Sequence, residues 1–546
     1  MIISGCGENA MESKFRTFVA EHVAKLEPLM KQWNLSYWQA SLTGKKEDFD
    51  KAAEFELKIR TIYSDTDDFA FLKQLKESDQ IQNALLKRHL ELLYNAYLSN
   101  QIEPDLLKQI VEKSNAVQNK FNTFRGKIGD QELTENEIKE ILKKETDSSK
   151  RRDAWLASKQ VGKAVVDDLI ELVKLRNQAA QKLGFENFYI MSLSLSEQNL
   201  EDITKIFDEL ANLTEEPFTA LKAELDSILA NKYGIGVAGI MPWHYHDPFF
   251  QAGPLVYEVN LDRYFKDQDI KELAQKFYAG IDLPVDDILM RSDLYEKKGK
   301  NPHAYCINID RLQDVRILAN IHNDERWMET MLHELGHAVY DKNIDVSLPF
   351  LFREPAHSFT TEAIAMFFGR LSRNANWLQA MLALNDEEKD EIDDAVQNSL
   401  RLGQLVFARW SQVMFRFEQE LYKNPDQNLN TLWWDLVEKY QLIKRPKGRT
   451  EPDWAAKIHF TLAPVYYHNY MLGELLASQL HAYIFKRILK LDSDNSLSYV
   501  NEKIVGNYLK NRVFSVGTKF PWNEMIKRAT GEYLSPEYFV DQFVRQ

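Results

Sequence analysis

Residues 330–342 read Thr-Met-Leu-His-Glu-Leu-Gly-His-Ala-Val-Tyr-Asp-Lys. His333 and His337 are four apart, so on a helix their rings leave from one face, one turn apart. Two imidazoles placed in this way can share a divalent cation. Glu334, one position round the helix, is placed to reach a water on that cation rather than the cation itself. The chemistry this pattern serves is hydrolysis by a zinc-activated water. A catalytic zinc takes three protein ligands and keeps a fourth position open. The candidate third ligand is Glu362 in SFTTEAIAMFFGR (358–370), 25 residues after His337. That is enough chain for a connection and a helix returning alongside.

The pair needs a helix to hold it, and the flanking residues supply one. Asn323 or Asp324 can cap its start, and Trp327, Met328, Met331, Leu332, Leu335, Ala338 and Val339 form an apolar back. The two imidazoles therefore share the opposite face with Arg326, Thr330 and Asp341. Glu362 is expected at the start of a second helix capped by Ser358, Thr360 or Thr361. Residues 302–320 alternate apolar and polar, which predicts a small β-hairpin. From residue 11 to about 232 the spacing predicts long amphipathic helices, one of them over 167–185 and stopped by Gly184, with another, charged and solvent-facing, over 135–152. Residues 233–254 break the helical rhythm with Gly, Pro, His and aromatics, and read as a structured, cavity-lining loop. His244 and His246 within it are read as packing or loop-bonding residues, since no other histidine or cysteine cluster stands beside them.

The 546 residues carry 68 Lys+Arg against 82 Asp+Glu, a net charge of −14, and no basic stripe. That balance argues against a nucleic-acid partner. No apolar run reaches the roughly 18–20 residues of a membrane span. Two cysteines, Cys6 and Cys306, are too few for a disulfide framework. Ile3-Ser4-Gly5-Cys6 resembles a bacterial lipobox, which predicts a lipid anchor at Cys6 and residence in the periplasm or cell envelope; without it the chain reads as cytoplasmic. There is no internal repeat and no linker long enough to separate domains. The organisation expected is a lipobox remnant over 1–6 and one helical domain over 7–546 with a minor sheet.

Five segments together resemble the peptidyl-dipeptidase A (angiotensin-converting enzyme) family and, more distantly, the thimet oligopeptidase and oligopeptidase F group. They are PHAYCINID, HELGHAVY, FREPAHSFTTEAIA, NLNTLWWDLVEKYQ and AAKIHFTLAPVYYHNY, with a fainter echo in LVKLRNQAA. The likeness is clearest over about 240–470. It implies a mainly α, two-lobed ellipsoidal fold with a deep channel, and one Zn2+ held in the His2Glu manner of gluzincins by His333, His337 and Glu362. Carried over by position, His303 and Ala304 would hold substrate backbone beside the metal. Lys457 would pair with the substrate's free C-terminal carboxylate, and His459 would bond a peptide carbonyl. Tyr467 would help to anchor the carboxylate and Tyr470 would stabilise the oxyanion. The segment is one residue longer than the family pattern, so Tyr466 also fits the first role. Taken singly these side chains are ordinary: a surface lysine, a satisfied histidine, packing tyrosines.

Two departures bear on mechanism. Met366 stands where the family has an acidic residue supporting a zinc histidine, so another group must do so. Asn469 stands where an arginine is associated with chloride activation, which predicts little dependence on chloride. The reading is a zinc metallopeptidase that acts on short peptides and releases C-terminal dipeptides. The alternatives are an endo-acting oligopeptidase of the same fold and an inactive peptide-binding lipoprotein.

Overall fold

A computed structural model describes residues 10–257, 259–491 and 497–545. The lipobox-like tetrapeptide and Cys6 lie outside these residues. The protein is 69% helical, with two small two-stranded sheets among the described residues, so its class is mainly α as expected. No described helix is long and apolar enough to cross a membrane. The chain divides into two compact units. One comprises Met1–Gln101, Asn260–Asn385 and Gln479–Leu534; the other comprises Ile102–Val259, Asp386–Ser478 and Ser535–Gln546.

In the first unit, helices Ala10–Thr43, Thr66–Ser78 and Ala84–Ser99 close over a core of Phe15, Leu26, Leu72, Leu93 and Phe352, all at most 1% exposed. Each such side chain contributes roughly 1.5–3 kcal/mol by leaving water. The motif helix runs Glu325–Lys342. Of its two candidate caps, Asp324 does the work, its carboxylate accepting from the Trp327 N–H at 2.8 Å. Glu325 then fixes the helix start by accepting from Arg373 and Ser372. The helix buries Met328, Met331, Leu332, Leu335, Ala338 and Val339 completely, the apolar back read from the sequence.

Strand Tyr305–Asn308 pairs antiparallel with Val315–Leu318, Cys306 opposite Ile317, inside the predicted hairpin, and packs on the motif helix. Val315–Leu318 also carries a parallel bridge from Asp293 at Leu318. Among the described residues no strand pairs with the other edge of Tyr305–Asn308.

The second helix of the motif region, Ser358–Gly369, packs along the motif helix at Gly336. A Cβ there would lie 2.8 Å from Ala365 Cα and 3.1 Å from Ala365 N. Only a residue without a side chain lets the two backbones meet so closely. The cap of this helix differs from expectation. His357 precedes Ser358 as the N-cap, its Nδ1 accepting from the Phe359 N–H, and Thr360 Oγ1 accepts from the His357 N–H.

In the second unit, helices Ser148–Lys182, Leu200–Tyr233 and Asp386–Lys423 carry most of the core. The single charged helix expected over 135–152 is two helices, Glu135–Lys144 and Ser148–Lys182, because Asp147 caps the second by accepting from Ser149 and Lys150 N–H. The 167–185 helix is the last part of this long element. Gly184 follows it at φ +88°, as the stop signal requires. A second hairpin, Gly126–Ile128 with Gln131–Leu133, was not legible in the helical spacing. Gly162 lets the Pro452 carbonyl rest on helix Ser148–Lys182, which seats the turn Asp453–Ala456 immediately before Lys457. His244 and His246 are loop-bonding residues, as read: His244 Nε2 meets Ser148 Oγ at 2.9 Å, and His246 Nε2 meets Tyr233 Oη at 2.8 Å.

The Gly336 contact makes a stability prediction. G336A should destabilise the protein by about 1–3 kcal/mol, because a rigid backbone must move. G403A, within helix Asp386–Lys423 and with open space around its Cα, should stabilise by about 0.5–1 kcal/mol. Urea unfolding of both variants checks the pair, and equal effects would contradict the packing argument.

Candidate metal centre

His333 and His337 leave the motif helix on one face, their ring centroids 4.9 Å apart and nearly perpendicular. Glu362 Oε2 lies 3.7 Å from His333 Nε2 and 3.9 Å from His337 Nε2. The ligand atoms of all three fall within 4.8 Å of one another. Ligands of a tetrahedral zinc at about 2.0–2.2 Å stand roughly 3.3–3.5 Å apart, so this donor set fits a zinc ion with small adjustment. Protonation fits as well. Burial pushes His333 down to about 4, and burial together with His333 pushes His337 down to about 3, so both rings are neutral at neutral pH. Their contacts with Glu362 are therefore not ion pairs, and each ring keeps a lone pair for a metal. His337 Nδ1 is taken by Thr361 Oγ1 at 2.7 Å, which leaves Nε2 on the Glu362 side.

Glu334, the residue between them, is 9% exposed. Burial first, then the nearby charge of Glu362, raises its carboxyl to about 8, while a hydrogen bond from the Cys306 N–H works the other way. That bond comes from the unpaired edge of strand Tyr305–Asn308. Ala304 stands two residues before Cys306, at the mouth of the strand, and in an extended chain its peptide groups face that same edge. His303 is exposed, with its N–H held by Asn301 Oδ1 at 3.0 Å. Cys306 is a free thiol on this strand.

Tyr340 is fully buried, and its phenol accepts from the Ala356 N–H at 3.3 Å, which ties the start of the Glu362 helix to the motif helix. Tyr278 donates to the Leu332 carbonyl, one residue before His333. Ligand positions are thus fixed from three sides by buried contacts.

In the second unit, the predicted Lys457, His459, Tyr467 and Tyr470 form one cluster. Lys457 is 6% exposed and makes no ion pair among the described residues; its ammonium donates to Gln251 Oε1. It lies 5.2, 5.3 and 5.6 Å from the ring centroids of Tyr467, Trp410 and Phe249. Burial pulls its pKa down to about 8, with Asp247 opposing. Tyr467 accepts from Trp410 Nε1 at 2.7 Å and touches His459 and Tyr470, at centroid distances of 5.1 and 5.4 Å. Tyr467, one of the two tyrosines open for the first role, lies beside Lys457. His459 Nδ1 is buried and has no hydrogen-bond partner among the described residues.

Within this segment Val465 has φ +56°, a costly conformation for a β-branched residue. Its N–H donates to buried Glu418 at 2.8 Å, while Arg176 donates to the Phe460 and Thr461 carbonyls at 2.9 and 2.7 Å. Two long helices therefore hold the loop that carries the cluster. Trp433 and Trp434 are core residues, 2% and 3% exposed.

Sequence reasoning did not single out Gln251 or the Arg176–Glu418 brace, and it offered Thr361 as a helix cap rather than as the partner of His337. Gln251 lies in the loop read as cavity-lining, and Thr361 directly precedes Glu362. Glu418 had no signal beyond being an acid in a helical apolar stripe.

Comparison with known proteins agrees with the geometry. The Peptidase_M2 model, described as angiotensin-converting enzyme, matches residues 9–245 and 257–541. The angiotensin-converting enzyme of Sus scrofa is 24% identical over 407 residues, 68% of this chain and 30% of that protein. Thermostable carboxypeptidase 1 of Pyrococcus furiosus is 24% identical over 399 residues, 68% of this chain and 72% of that protein. An inactive angiotensin-converting enzyme-related protein of Caenorhabditis elegans is 22% identical over 381 residues, 61% of this chain and 41% of that protein. The match thus spans under a third of the porcine relative's length. With the family model covering nearly every described residue, and the histidines and glutamate of its metal motif gathered at one place, the chain belongs to the Peptidase_M2 (angiotensin-converting enzyme) family of peptidases.

Proposed function

We propose that this protein is a zinc-dependent peptidase that releases dipeptides from the C-termini of short peptides. The observation that carries the reading is the convergence of His333, His337 and Glu362 on one point, with Glu334 beside them. Zinc bound there would polarise the scissile carbonyl and lower the pKa of its bound water to about 7. Glu334, oriented by the Cys306 N–H, takes the proton of the attacking water and hands it to the leaving amine. Its raised pKa has two causes, burial and the charge on Glu362. Once Glu362 is neutralised by a cation, the second disappears and Glu334 ionises more readily. The main chain of Ala304 lies against the substrate backbone, and the ring of His303 flanks it.

Lys457 supports C-terminal action. Its buried ammonium has no carboxylate partner among the described residues, and a peptide's terminal carboxylate would supply one. Gln251 and Tyr467 flank that grip. His459, whose Nδ1 has no partner among the described residues, and Tyr470 donate to substrate oxygens; an oxyanion donor is typically worth about 2.7–4 kcal/mol of barrier. A second reading, removal of single C-terminal residues, is favoured by the fuller overlap with a protein named as a carboxypeptidase.

The test is mass spectrometry of a decapeptide digest, run with free and amidated C-termini and with and without a zinc chelator. Dipeptide release from the free acid alone, abolished by chelator, is expected. Single-residue release would move the protein to the second reading. Cleavage inside both forms would make it an oligopeptidase, and no cleavage by the zinc-loaded protein would make it a binder.

Three further outcomes follow from the residues. E334Q should keep its zinc and lose roughly 10^2–10^4 in kcat, since the general base alone is removed; loss of zinc in parallel would contradict its role. In the free enzyme the Lys457 ammonium is present below about 8 and lost above it. The kcat/KM for free-acid peptides should therefore fall as pH rises through that value, and K457R should delay the fall to higher pH. Added chloride should leave the rate unchanged, because Asn469 is a neutral amide already engaged by Gln198 at 2.7 Å, itself bonded to His468. A several-fold rise in rate would contradict this.

A further inference from the structure

We infer that Thr361 is the positioning residue for the metal-ligating ring of His337, doing with a neutral hydroxyl what a carboxylate would otherwise do. The inference rests on the zinc reading above and adds to it a hydroxyl support for one of the two ligating rings, in a helix where Met366, four residues after Glu362, offers no strong acceptor. A thioether is a weak acceptor and cannot orient an imidazole.

The geometry is specific. His337 Nε2 faces Glu362 at 3.9 Å, and its other ring nitrogen meets Thr361 Oγ1 at 2.7 Å. An imidazole that ligates through Nε2 carries its proton on Nδ1, so the ring donates and the hydroxyl accepts. That bond fixes both the tautomer and the ring plane. Thr361 and Glu362 are adjacent on one helix, so one turn delivers a metal ligand to one side of His337 and the ring's support to the other. The register of that turn is set by Gly336 meeting the Ala365 backbone. Displacing the helix would move both groups together.

The choice of acceptor has a charge consequence. A divalent cation with two neutral imidazoles and one carboxylate leaves a net +1. A supporting carboxylate on His337 would bring the local total to zero. A hydroxyl leaves the metal and its ligands one charge more positive than a carboxylate would, which favours acidity of the bound water, at the expense of metal affinity. The sequence therefore trades tightness of zinc binding for polarising power at the position of Thr361.

Zinc dissociation constants, measured on the full chain by competition with a chromophoric chelator, test this directly. T361V keeps the shape and removes the hydroxyl; T361S keeps the hydroxyl. T361V should bind zinc roughly 10–100-fold more weakly than wild type, and T361S within a few-fold of it. The cobalt-substituted wild-type protein should also show a slowly exchanging, hyperfine-shifted imidazole N–H signal that T361S retains and T361V loses. Equal zinc affinity in T361V and wild type, or a T361S protein as weak as T361V, would overturn the inference. Should T361V fail to fold, T361S and the wild-type N–H signal still decide it: loss of affinity in T361S, or a wild-type N–H in fast exchange with water, overturns it. A wild-type protein that binds no zinc would instead defeat the underlying metal reading, before Thr361 is reached.

Discussion

The candidate metal centre depends on two helical backbones touching where Gly336 faces Ala365. His333 and His337 are set by the motif helix alone, but a two-histidine site is weak and open. The third ligand arrives only because the Glu362 helix can lie directly on the motif helix, with no side chain between them. The same approach brings Thr361 to His337, and lets Tyr340 accept from the Ala356 N–H at the helix entry. Van der Waals contact at one glycine thus fixes the positions of four polar groups. Close-packed interiors transmit displacement rather than absorb it, so the histidine spacing and the carboxylate position behave as one unit.

Burial sets the electrostatics of both clusters, with opposite consequences. At the metal motif it keeps two imidazoles neutral and makes Glu334 a reluctant acid, the protonation pattern of a site prepared for a cation. At Lys457 it surrounds an ammonium with Tyr467, Trp410 and Phe249, leaving a cation whose strongest protein contact is an amide oxygen. Buried charges are normally paired. On the reading proposed above, the first cluster takes a metal cation and the second an anionic ligand.

Much of this was legible in the residues, for physical reasons. The i,i+4 histidines, the apolar back of their helix and the alternation of 302–320 are periodic signals, and the motif helix and the hairpin formed where periodicity put them. Glu362 could be proposed because its distance along the chain allowed a returning helix. What stayed hidden depends on contacts between distant segments. His357 displaced the three nearer hydroxyl residues as cap, since a ring nitrogen can accept from an N–H as well as an oxygen can. The break at Glu145–Asp147 split one charged stretch into two helices because a single aspartate satisfied two free N–H groups. The support of His337 by Thr361, the grip of Gln251 on Lys457 and the bracing of Val465 by Glu418 each join residues that sequence spacing alone cannot pair.

The central claim is that one zinc ion sits among His333, His337 and Glu362. Crystals of the zinc-loaded protein, measured on either side of the zinc absorption edge, test it most directly. A single strong anomalous peak within about 2.0–2.2 Å of His333 Nε2, His337 Nε2 and a Glu362 oxygen is the result predicted. No peak there, or a zinc bound at other residues with these three left apart, would contradict the account.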